Sequence, residues 1–466
     1  MKYVLFALAI LAAIPGAIFC GMSRRMLAIA MVVMFLPILS FNSTALNFIS
    51  YEFYRGTARG MEVSFSYIVA LMILMSLAFR RKLPKLMPDF GMWLYLFYFI
   101  WALVSACANN TTRIVEGVMV GDIFRSDFEV SGRMLSFFEL WKMFMLTLVF
   151  WAIYGFLDLT KKPDIVMRAV GIVVIGCFIS VVHEHFVGAY QVRGVFPHQN
   201  SMALFMMLSG PVFFAAYLNM PQSMFRRFCT VAFVCASGAL FRTYSRGSTL
   251  CYPLISFITA FWSFVCKFQF RKVCRILPLV LCGILGIAAM LPRIIERFEN
   301  APQQSADTRK WLALTAVNVI QQHPWTGIGV NNWSHYVSSH PEIQGGEEFR
   351  PKDSTGTNMG IVETIYLLVG AECGVPGFVF LVSWFLYYWF TAFRLMFKLK
   401  GTRWFYIPAG LFGGLTGCYL QSALEWVLKQ QINFLLLMTG FALLSWLNQN
   451  WRELKKSEIG QSTVRA

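Results

Sequence analysis

The chain has 466 residues, 57% of them apolar and only 14% charged, with a formal charge of +17. A soluble domain of this length would carry nearer a quarter charged residues, so the composition excludes a water-soluble enzyme. The positive excess does not point to nucleic acid, because its Lys and Arg gather in short loops between apolar blocks, as on the cytoplasmic side of membrane proteins.

Blocks of roughly 17–22 apolar residues match a bilayer core of ~30 Å crossed as a helix. Lipid offers the backbone no hydrogen bonds, so each block is predicted helical. In chain order, spans are expected near 3–20, 26–40, 62–79, 91–108, 134–157, 165–186, 200–218, 228–241, 248–266, 276–292, 375–394, 404–424 and 431–447. The first block lacks a strongly basic start and is followed at once by a second, so it reads as a retained span rather than a signal peptide. Trp93, Trp101, Trp384, Trp389, Trp446 and Trp451 lie at block ends, where interfacial belts form. Eleven cysteines are scattered with no CxxC pair, which argues against a zinc site and against a disulfide framework.

Alternate loops give the orientation. One set holds Arg24-Arg25, Arg80 to Lys82, Lys161-Lys162, Arg226-Arg227, Lys267 to Arg275, Arg394 to Arg403, and the tail with Arg452, Lys455 and Lys456. The other set is 41–61, 109–133, 187–199, 242–247, 293–360 and 425–430, where basic residues stand singly or beside acids. The positive-inside rule puts the first set in the cytoplasm, the N-terminus outside and the C-terminus inside. The expected fold is thus an all-α polytopic membrane protein with about 12–13 transmembrane helices. It divides into an N-terminal bundle (1–292), a large external loop (293–360), and C-terminal helices with a short cytoplasmic tail (361–466).

Four polar constellations fall on the external side. Arg193-Gly-Val-Phe-Pro-His198-Gln-Asn200 precedes an apolar helix. Asn200-Ser201 is the expected N-cap, and a helix N-terminus beside Arg193 favours an anionic group. The bland alternative is an ordinary loop entry with an interfacial Arg. Ser245-Arg246-Gly247 joins two spans, and Arg246 there needs water, a headgroup or a partner. In the large loop, Asp307 to Gln322 is amphipathic, with Trp311, Leu312, Thr315 and Val319 on one face. It carries Arg309 and ends at His323-Pro324, before the Gly-rich run Gly327 to Asn332. Its alternative is a helix lying on the membrane.

The fourth is Glu363-Thr-Ile-Tyr366, then Glu372-Cys-Gly-Val-Pro-Gly377. Ionisable residues in an apolar stretch are functional candidates by default. Nine residues apart, the two acids lie on opposite sides of a regular helix, so Glu363 is the preferred chemical residue and Glu372 a brace for the Gly-Pro break. His183-Glu184-His185 lacks the HExxH spacing of a metal site and reads as an interfacial polar cap.

Taken in order, these segments resemble the O-antigen ligase and O-antigen polymerase superfamily of bacterial envelope glycan enzymes. The resemblance rests on Arg193 with Gly194-Val-Phe and Asn200, Ser245-Arg246-Gly247, Arg309 with Trp311, His323-Pro324 with Gly327 to Asn332, and Tyr366-Leu with Glu372 to Gly377, over roughly 190–395. It implies a GT-C-like membrane glycosyltransferase in the bacterial inner membrane, working without cofactor or metal. The implied donor is a glycan on polyprenyl (undecaprenyl) diphosphate. The acceptor hydroxyl belongs to lipid A-core, to another glycan or to a protein.

On this reading Glu363, Arg193, Arg246 and Arg309 are catalytic, and His198, Asn200, Ser245, Trp311, His323, Asn331 and Tyr366 bind substrate. The superfamily usually has a His-Asn pair where this chain has Glu363-Thr364. A partly buried carboxylate can replace that His as base. Ligase and polymerase remain equal alternatives. The rivals are a transporter or flippase of lipid-linked glycans, which usually shows repeated halves and midplane sites, and a non-catalytic scaffold.

Overall fold

A computed structural model describes residues 2–40, 45–108, 110–121, 123–189, 191–266, 268–278, 280–281, 295, 303–349 and 360–463. Among them, nine helices are long and apolar enough to cross a membrane. In chain order the helices are α1 (Lys2–Met22), α2 (Arg24–Val33), α3 (Phe65–Phe79), α4 (Phe90–Ala108), α5 (Gly132–Thr160), α6 (Pro163–Phe186), α7 (Gln199–Asn219), α8 (Met224–Arg242), α9 (Arg246–Cys266), α10 (Gln303–Gln322), α11 (Trp333–Ser339), α12 (Ile365–Lys398), α13 (Tyr406–Ser422) and α14 (Gln431–Thr463). The chain is an all-α polytopic membrane protein, as its composition requires.

One expected span departs from the prediction. The block at 26–40 is α2 followed by a 3-10 turn, Leu36–Ser40, since Pro37 lacks the N–H that would continue the helix. The expected span at 276–292 lies almost wholly outside the described residues.

Helix α7 lies at the centre of the bundle, with nearly all its side chains buried. It packs on α8, α9 and α13. Gly410 and Gly414 let α13 approach closely: a Cβ on Gly410 would stand 2.2 Å from the Val212 Cα, and one on Gly414 2.5 Å from the Leu208 carbonyl. Small residues at such a seam let helix backbones gain dispersion contact where lipid gives no hydrophobic drive. The outer face of α9 leaves Leu250, Leu254, Phe257 and Phe261 exposed, at the helical spacing of a lipid-facing stripe.

One end of the bundle carries a cap. The regions of loops 41–61 and 109–133, placed outside by the sequence, hold strands β1 (Ala45–Tyr51), β2 (Gly60–Ser64), β3 (Thr112–Val115), β4 (Val118–Val120), β5 (Ile123–Arg125) and β6 (Phe128–Ser131). They form an antiparallel sheet in the order β2-β1-β4-β5 and a β3-β6 hairpin. Asn47 faces Glu62 and Ser50 faces Gly60, with a register shift between them. Strands of three to seven residues hold too few alternations to separate from loop by period.

Helix α10 completes the cap. Its predicted apolar face is buried, but against protein: Trp311, Leu312, Ala316 and Val319 pack with Trp333, Val337, Ile343, Val362 and Leu368.

Candidate active site

Two glycine motifs of the sequence explain each other. Helix α12 is broken at Gly374 (φ 67°, ψ −177°), two residues before Pro376. The break frees carbonyls that a regular helix would use. Ile328 N–H donates to the Ala371 carbonyl (3.1 Å) and Gly329 N–H to that of Glu372 (2.9 Å). Ser105 Oγ and Trp101 Nε1, from α4, donate to the Glu372 and Cys373 carbonyls (2.7 and 2.9 Å). A Cβ on Gly374 would lie 2.1 Å from the Trp325 carbonyl oxygen. The run Gly327 to Asn332 is thus docked onto the broken helix.

Asn331, the next-to-last residue of that run, is fully buried with its amide saturated. Its Oδ1 accepts from Thr57 N (2.8 Å) and Ala58 N (3.1 Å), and its Nδ2 donates to the Ala58 and Leu135 carbonyls (both 2.8 Å). The expected substrate contact is replaced by a structural one, because no polar atom of the side chain is left for a ligand. Asn331 instead fixes the turn 55–59 between β1 and β2.

Beneath that turn lies a buried ion network. Lys142 Nζ is 2.6 Å from Glu139 Oε2, and Lys429 Nζ is 3.5 Å from Glu139 Oε1 and 3.1 Å from Glu372 Oε2. Lys142 also donates to the Thr57 carbonyl (3.1 Å). Two acids and two lysines balance in charge, which buried ions require. Glu372 therefore braces the break through its carbonyl and, through its carboxylate, anchors the segment after α13.

Above this floor a cleft opens in two lobes. The first, about 660 Å³, is lined by His198, Asn200, Ser245, Arg246, Arg309 and Glu425, among others. The second, about 540 Å³, is lined by Arg55, Trp141, Leu312, Ile361 and neighbours. Arg59, Pro197, Glu363, Trp426 and Gln430 line both.

Arg309 organises the first lobe. Its Nε and a terminal nitrogen reach Glu363 Oε2 at 3.0 and 2.8 Å, and the same nitrogen lies 3.4 Å from Glu425 Oε1. Glu363 Oε1 takes no hydrogen bond from protein among the described residues, and this side chain is 35% exposed. The Glu425 side chain is only 11% exposed and accepts from Asn200 Nδ2 at 2.6 Å. Burial, reinforced by neighbouring Glu363, pushes its carboxyl up to about 7 against the pull of Arg309, Asn200 and Arg246.

The first turn of α7 forms one wall. Its N-cap is His198, not Asn200-Ser201: His198 Nδ1 accepts from Asn200 N–H at 3.2 Å. Burial lowers the His198 imidazole below the usual histidine value, with Glu363 opposing and Arg193 adding to the drop. Arg193 stands on the rim, where its guanidinium donates to the Pro197 carbonyl at 3.5 Å. Its turn is held by Glu184, whose Oε2 accepts from Arg193 N and Gly194 N (2.8 and 2.9 Å). That gives the acid of His183-Glu184-His185 a defined structural task. Arg246 begins α9 after a tight link in which Tyr244 takes φ 50° and Thr243 Oγ1 accepts from Ser245 N–H (3.1 Å).

Of the predicted residues, Glu363, Arg246, Arg309, His198, Asn200 and Ser245 thus meet in one lobe, with Arg193 at its edge. Trp311, His323, Asn331 and Tyr366 do not. Trp311 is in the α10 core. Tyr366 donates to the Tyr419 carbonyl at 3.0 Å. His323 pairs with the Tyr336 hydroxyl (3.1 Å), at the far end of α10, roughly 20 Å along the helix from Arg309 at ~1.5 Å per residue.

Sequence reading overlooked Glu425 and Arg59. Glu425 carried the same signal as Glu363, an acid at the end of an apolar block. Arg59 sat in a loop without motif.

Residues 231–382 match the family model described as O-antigen ligase. The match spans Arg246, Arg309 and Glu363 and makes this part of the chain similar to the O-antigen ligase family. It supports a ligase- or polymerase-type function acting on lipid-linked glycans. No curated protein matches the chain.

Proposed function

We propose that this chain is a member of the O-antigen ligase and polymerase superfamily and transfers a glycan from polyprenyl (undecaprenyl) diphosphate to an acceptor hydroxyl at the external face of the bacterial inner membrane. The observation that carries the reading is that Glu363 lines both lobes of the cleft, ion-paired to Arg309 of the first. The first lobe takes the donor diphosphate and the second the acceptor.

Arg309 and Arg246 bind the diphosphate, since guanidinium forks match phosphate oxygens and keep their charge. The N-terminus of α7 adds the positive end of its dipole. Arg193, at the rim, meets the anionic carrier as it enters. The acceptor oxygen attacks the anomeric carbon of the donor sugar. Glu363 takes the hydroxyl proton, and the bond from that carbon to phosphate breaks, with its electron pair leaving on the diphosphate. Cations fixed in place stabilise that developing charge without reorganisation, so transfer proceeds without a metal ion. A second reading exchanges the carboxylates: Glu425 is the base, favoured by its burial beside Arg309 and a carboxyl that titrates near neutrality.

The test is transfer by purified protein in detergent, with lipid-linked glycan and acceptor supplied. Product formed without vesicles excludes a pure transporter. Glu363→Gln and Arg309→Ala should each abolish product, whereas EDTA should leave it unchanged. Full activity in Glu363→Gln with none in Glu425→Gln assigns the base to Glu425. Activity lost to EDTA and restored by Mg²⁺ overturns the metal-free mechanism.

A further inference from the structure

The β cap holds a third cavity, about 670 Å³, beside the cleft. Arg55, Arg59, Arg113, Tyr51, Phe53 and Glu116 are among the residues that line it. Arg55 and Arg59 also line the second lobe, so the groove in the cap and the lobe that holds Glu363 meet at the turn 55–59.

Among the described residues that line it, three are arginines and one, Glu116, is an acid. Tyr51 and Phe53 add aromatic faces: Tyr51 stacks on Tyr54 at 5.6 Å, and the Phe53 side chain is largely exposed above Gly117. Aromatic faces suit the C–H faces of sugar rings, and guanidinium forks suit carboxylate or phosphate groups.

The turn bearing Arg55 and Arg59 is anchored from below by Asn331 and Lys142. The Tyr54 hydroxyl also donates to the Asn331 carbonyl. Such anchoring preorganises the two cations, whereas a loose surface loop would have to be ordered on binding.

We propose that this groove is the acceptor site and that the saccharide it takes is anionic, bearing uronate or phosphate groups along the chain. The inference rests on the transferase reading of the cleft but concerns a different set of residues. An anionic glycan laid on Arg113 and Arg55 reaches Glu363 with its terminal hydroxyl, while the donor occupies the other lobe.

The test uses full-length protein in nanodiscs at physiological salt, with hexagalacturonate as the anionic probe and maltohexaose as the neutral one. Hexagalacturonate should bind at least tenfold more tightly than maltohexaose. Arg55→Ala and Arg113→Ala should each weaken it about tenfold, the scale of one charge-assisted contact. Glu116→Gln should tighten binding, and that gain cannot come from misfolding. Arg309→Ala should leave it unchanged.

Equal binding of the two probes overturns the proposal. So does a loss caused by Arg309→Ala with none from Arg55→Ala or Arg113→Ala, because the probe then sits in the first lobe. Binding of undecaprenyl diphosphate, measured on the same variants, separates the two ideas. Failure of the groove leaves its dependence on Arg309 intact, and failure of the donor site leaves the hexagalacturonate result intact.

Discussion

Glu425→Gln isolates the cost of a buried charge at the cleft. The substitution keeps an acceptor for Asn200 Nδ2 and removes the titration, together with the charge that faces Arg309. Raising a carboxyl from 4.5 to about 7 penalises its charged form by roughly 3 kcal/mol, at ~1.36 kcal/mol per tenfold change in proton activity. The side chain is 11% exposed, so solvent screens little of this.

The sign follows from proton uptake. The folded protein keeps this proton to higher pH than the unfolded chain, so the contribution to stability is complete below 4.5. It fades as pH rises and is lost above about 7. The variant lacks that slope. Thermal melts of both proteins in one detergent, from pH 4.5 to 8.5, should nearly coincide at the acid end. The variant should then gain progressively until its advantage reaches about 3 kcal/mol. Parallel curves would refute the claim that Glu425 carries a burial-raised carboxyl.

Lys429→Met should destabilise the fold by about 3–5 kcal/mol in denaturant titration, because Glu372 and Glu139 lose their shared cation; adding Glu372→Gln should recover part of it. Gly374→Ala should fail to give folded protein by size-exclusion chromatography, with its Cβ 2.1 Å from a carbonyl oxygen. Gly401→Ala, also at positive φ but with nothing within 4 Å, should cost only about 1 kcal/mol. Asn331→Ala should leave the Thr57 and Ala58 N–H groups unpaired, costing roughly 1–3 kcal/mol, and should weaken hexagalacturonate binding by loosening the turn beneath Arg55 and Arg59.

The helices were legible because lipid imposes length and composition on each, and the amphipathic face of α10 because burial repeats at the helical period. The first lobe was largely legible for a related reason: an Arg or Glu beside an apolar block needs a partner, and Arg246, Arg309 and Glu363 answer that need together. Motif membership was a weaker guide. Asn331, His323 and Tyr366 belong to the same motifs yet serve packing, since a short motif does not say which of its side chains face a cavity. The second lobe and the β groove escaped because Arg55 and Arg59 acquire their setting from Asn331 and Lys142, residues far away in the chain. Lys429 offered one overlooked clue: a lone lysine in a loop outside the basic set has its charge explained by buried acids rather than by the cytoplasm.

The charge arithmetic under the cleft also bears on how the protein is made. Glu139 and Lys142 lie one turn apart on α5 and pair with each other, so α5 can enter the bilayer as a locally neutral helix long before translation reaches its final partners. Glu372 has no such companion on α12 and waits for Lys429, which follows α13. The cleft draws residues from position 55 to position 432, and its floor closes only when Lys429 arrives. A nascent chain released before that point carries helices but no closed cleft, and the last stretch of synthesis completes it.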